Sequence, residues 1–325
     1  MGLPECLDPV NKGLLSFLAA GVLYVDRMSS QGFEPEQIEA AVGGRYTVGP
    51  QIAVGGQGVV FRAARNSRPD GTPANDSVAL KIHFSAGQAI RVQREIAAME
   101  SISHPNLARL IEHGYCDVAG KHTRYIAYEF IEGQSLKQRL KLGGRLLESE
   151  ALPIGRDISE AIAELWSHGI VHGDIKPSNI MLRESGGAVL IDLGILRCAE
   201  EQRIVRPLRP VDSFAPEQIR PWGTVGYFSP EQARGERLSC ASDIFSLGIV
   251  LLESLQGWHP TNYDQRALEN GTRASGRRLD VSPGLLSVLD RMLMATPKSR
   301  GRLDKLSHYF QMLQQRLEAD CARGA

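Results

Sequence analysis

His172-Gly173-Asp174-Ile175-Lys176-Pro177-Ser178-Asn179 is followed, eighteen positions after Asp174, by Ile191-Asp192-Leu193-Gly194. The first stretch sets a lysine two residues and an asparagine five residues beyond an aspartate. The second places another aspartate between apolar residues and a glycine. Transfer of a phosphoryl group from ATP needs a carboxylate to orient a hydroxyl and accept its proton. It also needs a cation near the moving group and oxygen ligands for Mg²⁺. Both stretches together supply these residue types, and the surrounding parts recur along the chain in order.

Strand character begins near Arg45. Ile52-Ala53-Val54-Gly55-Gly56-Gln57-Gly58-Val59-Val60-Phe61 is a glycine-rich turn between two β-like runs. Glycines there let backbone amides approach phosphates without an intervening Cβ, although an ordinary hairpin reads the same way. After a polar stretch, Ser77-Val78-Ala79-Leu80-Lys81-Ile82 is a buried-strand pattern enclosing one lysine. Glu95 follows in the helical run Ile90 to Ser101, fourteen residues after Lys81 and nine before His104-Pro105-Asn106. Tyr125 to Phe130 reads as a further strand and Glu148 to His168 as a long helix. Downstream lie Gly223-Thr224-Val225-Gly226-Tyr227-Phe228-Ser229-Pro230-Glu231, then Ser242-Asp243-Ile244-Phe245-Ser246-Leu247-Gly248, then Thr296-Pro297-Lys298-Ser299-Arg300. From roughly Arg45 to His308 this ordered set resembles the eukaryotic-like (Hanks-type) serine/threonine protein kinases, in their bacterial branch.

That resemblance implies an α+β, bilobal protein-kinase-like fold: a small antiparallel β-sheet lobe with one main helix, then a mostly helical lobe. It implies ATP and Mg²⁺ as cofactors, with Mn²⁺ as a substitute, and protein Ser/Thr hydroxyls as substrates. On the nucleotide side it assigns Ala53, Gly55, Gly58 and Val60 to the phosphate loop, Lys81 to the α- and β-phosphates, and Glu95 to Lys81. Glu129 and Ile131 would meet the adenine edge through their backbone, with Tyr128 at the back of the pocket. Val60, Ala79 and Met181 would cover the adenine faces. Asp174 would orient the hydroxyl and take its proton, Lys176 offset the moving charge, and Asn179 and Asp192 hold the metal. Thr224 and Glu231 fall in the substrate loop, Asp243 anchors the catalytic loop, and Arg300 pairs with Glu231. A near-copy, Ala215-Pro216-Glu217, competes with Ser229-Pro230-Glu231. Glu231 lies twelve residues before Asp243, as the family requires, and Glu217 twenty-six, so spacing selects Glu231.

Two positions depart from the family pattern. Ala53 replaces the first glycine of the loop, which should stiffen it. Gly173 stands where the family has arginine, and His-Gly-Asp also resembles small-molecule phosphotransferases such as the aminoglycoside and choline kinases. Those generally lack a lysine two residues after the aspartate and a peptide-docking segment, and this chain has both. A catalytically silent scaffold is the third reading, opposed by the presence of Lys81, Glu95, Asp174, Asn179 and Asp192. Gly173 has no side chain to pair with a phosphate, and Ser213 is the only hydroxyl side chain between Ile195 and Trp222. Activity without phosphorylation of that segment is therefore expected.

The 325 residues include 37 Lys+Arg and 37 Asp+Glu, so no global field attracts nucleic acid or an anionic membrane. Five cysteines at 6, 116, 198, 240 and 321 form no close pair, which fits reduced thiols in a cytoplasmic protein. Gly13 to Val25 is nearly all apolar but only thirteen residues long, or roughly 20 Å of helix against about 30 Å of bilayer core. A buried or docking helix is expected there, with no transmembrane segment. Glu34 to Val42 reads as a second short helix after Pro35. The domain expectation is a helical extension at 1–44, a kinase domain at 45–312 divided near 130, and a helix end and tail at 313–325. The extension packs on the chain's own domain or serves a partner or a second copy. Leu303, Leu306, Phe310, Leu313 and Leu317 recur at alternating three- and four-residue steps, predicting a final helix.

Overall fold

The computed structural model describes residues 33–324 apart from 56–57, 67–71, 73, 75, 85–88, 193–196 and 199–222. The apolar run Gly13–Val25, part of the glycine-rich turn, Ser213 and the Ala215-Pro216-Glu217 copy lie outside the described residues. The chain forms two compact units. One runs to Ala89 and includes Leu110–Phe130; the other comprises Ile90–Arg109 and everything from Ile131.

The first unit is a five-stranded antiparallel sheet in the order β1-β2-β3-β5-β4. Its strands are β1 (Tyr46–Gly55), β2 (Gly58–Arg65), β3 (Ser77–His83), β4 (Leu110–Val118) and β5 (Lys121–Glu129). Alternation divides β3 cleanly. Val78, Leu80 and Ile82, at most 1% exposed, point into one apolar core with Val59, Phe61, Tyr125 and Ala127. Lys81 projects from the opposite face.

Helix α1 (Pro35–Ala41) lies in that same core. Pro35 begins the helix, and Ile38 is fully buried against the sheet with Val42, Tyr46 and Val48. The expected boundary at residue 44 would cut Ile38 and Val42 from the core they fill. The sheet unit reaches back at least to Phe33, whose ring stacks on Phe84 at 6.2 Å.

In the second unit, α2 (Ala89–Ser101) leads into a segment tied to the central hairpin. Ala108 N–H donates to Leu190 O at 3.1 Å, and Leu190 N–H to Asn106 O at 2.8 Å. These bonds hold residues 106–108 within the helical unit, with which residues 90–109 group. Next come β6 (Gly133–Ser135), α3 (Leu136–Gly143), α4 (Glu148–Ser167) and β7 (Ile170–Val171). They are followed by the β8 (Ile180–Arg183) and β9 (Ala188–Leu190) hairpin and by β10 (Arg197–Cys198), which pairs with β7. A short turn of helix, α5 (Pro230–Ala233), precedes α6 (Cys240–Gln256), in which fifteen of seventeen residues are buried. A helix buried on all sides forms the centre of a lobe, and α6 takes that place. Between α6 and α7 (Pro283–Met292) the described chain carries only a 3₁₀ turn, Gln265–Leu268. The last element, α8 (Leu303–Gly324), is one helix of 22 residues, so a boundary at 312 falls inside it. Among the described residues no helix is long and apolar enough to cross a membrane, and Cys116, Cys240 and Cys321 are free thiols.

Candidate active site

Strand β7 delivers His172–Asn179 into the helical unit, ending in a 3₁₀ turn at Pro177–Asn179. Asp174 is 7% exposed, and its two carboxylate oxygens differ. Oδ2 accepts from Lys176 Nζ at 2.6 Å, while Oδ1 is buried with no hydrogen-bond partner. The same Lys176 ammonium reaches Thr224 Oγ1 at 2.7 Å, joining the catalytic stretch to the loop 48 residues later. Asn179 Nδ2 donates to Asp174 O at 3.0 Å and reaches Asp174 Oδ2 at 3.4 Å, which fixes the amide, while its oxygen accepts from Ser178 Oγ at 3.5 Å. Ile191 N–H donates to Asn179 O at 2.9 Å, setting Asp192 beside that asparagine at the hairpin's end. Asp192 has φ +61°, a left-handed conformation that costs energy for a non-glycine residue and clusters at functional sites.

The backbone ahead of Asp174 is held from α6. Asp243 accepts from His172 N–H at 2.9 Å and from Gly173 N–H at 2.8 Å. Complete burial raises the Asp243 pKa; His172 and these two N–H groups work against that rise. Glu231 and Arg300 form a bidentate pair at 2.6 and 2.7 Å, each at most 2% exposed. Ser242 Oγ adds a bond to Glu231 at 2.7 Å, and Arg300 also donates to the carbonyls of Ala241, Met294 and Ala295. Burial by itself would raise the Glu231 pKa, but the Arg300 bonds and charge outweigh it and hold it low.

The loop between Gly223 and Ser229 rests on α6 and on residues just beyond it. Tyr227 O–H donates to buried Glu253 at 2.7 Å, and Ser246 Oγ donates to Tyr227 O at 2.7 Å. His259 Nε2 lies 2.9 Å from Gly226 O, while Gln265 bonds Gly226 N–H and Phe228 O at 3.1 and 3.0 Å. Val225 is left 57% exposed at the loop's crest.

In the sheet unit, Ala53, Val60, Lys81 and Ile126 stand directly opposite one another across four strands and therefore share a face. Ala79 and Tyr128 are paired two residues away on the same face, and Gly58 lies opposite His83. A Cβ on Gly58 would come within 2.2 Å of Ile82 O, so strand approach alone requires that glycine. A Cβ on Gly55 would meet none of the described atoms within 4 Å. Lys81 is 6% exposed there, and Glu95 is 1% exposed on α2 in the other unit. Glu129 closes β5, and Phe130 N–H donates to Ser77 O at 3.3 Å before the chain enters the helical unit at Ile131. Met181 packs with Ile131, Ala108, Val189 and Ile191.

Residues 46–310 match the protein kinase domain. The chain belongs to the protein kinase family. Similar curated kinases are bacterial. The probable serine/threonine-protein kinase PknB of Lactococcus lactis is 30% identical over 266 residues, covering 81% of this chain and 40% of that protein. Serine/threonine-protein kinase PknB of Mycolicibacterium smegmatis is 29% identical over 79% of this chain and 40% of its own length. The probable PknB of Bifidobacterium longum is 33% identical over 69% of this chain and 32% of its own. This kinase chain thus spans 40% or less of the length of these relatives.

Several kinase residues at the site carry no sequence signal of their own. Asp157, 3% exposed on α4, accepts from Ala188 N–H at 2.8 Å and so fixes the hairpin that presents Asn179 and Asp192. Glu253, His259, Tyr263 and Gln265 support the substrate loop, and Gln232 reaches the catalytic loop itself. Buried polar residues flanking a long helix were the available hint.

Proposed function

We propose that the chain is an ATP-dependent protein serine/threonine kinase in which Asp174 is the group that acts on the hydroxyl. One observation carries this reading: Asp174 presents an unpartnered, buried Oδ1 while Lys176 clamps Oδ2 and also holds Thr224. A substrate Ser or Thr O–H would donate to Oδ1. Its oxygen then bonds to the γ-phosphorus as the bond to the bridging oxygen of ADP breaks, and the proton passes to Asp174. Lys176 offsets negative charge on the moving group, and Lys81 and Glu95 serve the nucleotide phosphates. The residues fit Mg²⁺. Asn179 has its amide nitrogen committed and its oxygen met by Ser178 Oγ at a long 3.5 Å, Asp192 follows the Ile191 N–H that donates to Asn179 O, and both offer hard oxygen donors. Bound there, the ion would neutralise phosphate charge.

The reading includes activity without phosphorylation of the segment before Gly223, because Gly173 offers no side chain to a phosphate. It also includes a cytoplasmic site of action and a docking or self-association role for the N-terminal extension, residues 1–44. Incubation of the purified protein with labelled ATP and Mg²⁺, then mass spectrometry of phosphorylated residues, tests the reaction. Phosphoserine or phosphothreonine on a protein, absent from Asp174→Asn, is expected. Transfer only to small molecules would overturn it. Phosphatase treatment, removal of the phosphatase and an initial-rate assay test the regulation. A lag or a rate drop of roughly tenfold, recovering as phosphate returns to Ser213, would show dependence on that phosphate.

A further inference from the structure

We infer that Gln232 is a positioning residue for catalysis, its neutral side-chain amide holding the peptide that carries Asp174. The inference rests on the kinase reading above. Gln232 is 3% exposed on α5, and its Nε2 donates to Gly173 O at 2.8 Å. That carbonyl belongs to the same peptide group as the Asp174 N–H, which donates to His172 Nδ1 at 3.2 Å. The preceding N–H groups, of Gly173 and His172, are both taken by Asp243. Three of these four bonds to the backbone ahead of Asp174 thus come from the catalytic stretch or from α6. The Gln232 bond comes from the substrate loop's end.

Two glycines make room for this contact. Gly173 has φ +76°, and Gly223 has φ +123°. A Cβ on Gly223 would stand 2.7 Å from Gly173 O and 3.0 Å from Gln232 Nε2, so a side chain there would push the amide off the carbonyl. The glutamine also has a rigid base. Its neighbour Glu231 is locked to Arg300, and its own N–H is capped by Ser229 Oγ at 3.3 Å. Rotation of the 173–174 peptide would swing the free Oδ1 of Asp174, and the amide opposes that rotation. Because donor and acceptor are both uncharged, the link requires neither a phosphate nor an arginine, which accounts for a working loop with glycine at 173.

The test uses Gln232→Met, of similar length without a donor, and Gln232→Glu, of the same shape but acceptor-only when ionised. Misplacement of a reacting group by about 1 Å costs up to roughly 10²-fold, so kcat should fall roughly tenfold or more in the Met variant and further in the Glu variant at neutral pH. Nucleotide Kd should stay within roughly twofold, since no nucleotide contact is removed. As pH is lowered from about 8 to about 6, the Glu variant should regain rate relative to wild type, because the protonated carboxyl donates again and burial favours that form. Amide exchange over residues 170–176 should quicken in Gln232→Met whether or not turnover is measured. Wild-type rates and exchange in both variants would overturn the assignment. So would parallel losses of kcat, nucleotide affinity and Tm without recovery at low pH, which would mark a purely structural residue. An inactive wild type would instead sink the kinase reading, leaving the exchange measurement to judge Gln232.

Discussion

Asp174 and Asp192 are both carboxylates at the same site, yet their surroundings give them separate work. Asp174 keeps one oxygen free beside Lys176, whereas Asp192 sits in a left-handed conformation just after the Ile191 N–H that donates to Asn179 O. On the proposed reading, Asp174→Asn would remove the proton acceptor without touching the nucleotide. The transfer rate should fall by roughly 10²–10⁴, with nucleotide affinity nearly unchanged. Asp192→Asn should instead weaken Mg²⁺-dependent nucleotide binding. Single-turnover rates and a nucleotide titration separate the two, and equal affinity losses would contradict these roles. Lys176→Ala leaves Oδ2 with the longer 3.4 Å bond from Asn179 Nδ2 in place of the ammonium, so it should lower the rate.

Elements are coupled through side chains that link distant parts of the chain. Glu231 on α5 and Arg300 after α7 are both buried, so removing one partner leaves an uncompensated charge. Arg300→Met should cost about 3–5 kcal/mol of stability in a urea titration. Glu231, with its pKa held low, contributes stability above the ordinary carboxylate range that is lost as pH falls through its folded value. The turn at His259–Tyr263 carries a second pH effect. His259 Nδ1 accepts from Tyr263 N–H at 2.9 Å, so the neutral ring with its proton on Nε2 suits both this bond and Gly226 O. Burial depresses the His259 pKa below its ordinary 6.5, outweighing the opposing Gly226 bond. The unfolded chain therefore takes up this proton first, and stability falls as pH drops from neutral through 6.5, levelling off below the folded value. Glu253, raised by burial, acts in the opposite sense above its ordinary 4.5. His259→Gln keeps a donor for Gly226, retains Glu253 and removes the titration. Its Tm should fall less steeply than that of wild type between pH of about 7.5 and about 5.5. Identical slopes would show that His259 does not set the acid response.

At the scale of the molecule, the question is how much of the N-terminal extension the catalytic region needs. Ile38 is fully buried in the sheet core and Val42 nearly so, while the apolar run at 13–25 precedes the first described residue. A chain beginning at Phe33 should keep the wild-type Tm and nucleotide affinity. A chain beginning at Gly43 loses Ile38 from the core, where deleting one large aliphatic side chain costs about 2–5 kcal/mol. It should therefore melt markedly lower. Equal melting of the two truncated chains would mean that α1 is dispensable packing.

The motif residues stand out in the sequence because the proposed phosphoryl transfer would restrict residue type at short fixed spacings; the structure puts Asp174, Lys176 and Asn179 on one loop and Asp192 just past the hairpin that follows. Strand β3 was legible too, since burial of one face enforces alternation around Lys81. Spacing to Asp243 singled out Glu231, and in the structure it is Glu231 that Arg300 holds. Other features depend on contacts between residues far apart in the chain, which no local pattern encodes. Ile38 reads as an amphipathic helix residue, and only packing shows which core it enters. Gln232 reads as an ordinary polar residue after Glu231 until Gly173 O, 59 residues away, is found against its amide. Chemistry fixed at one point of the chain leaves a signature in sequence. The support that holds it in place comes from wherever the fold brings a matching donor or acceptor, and that was decided by the tertiary structure.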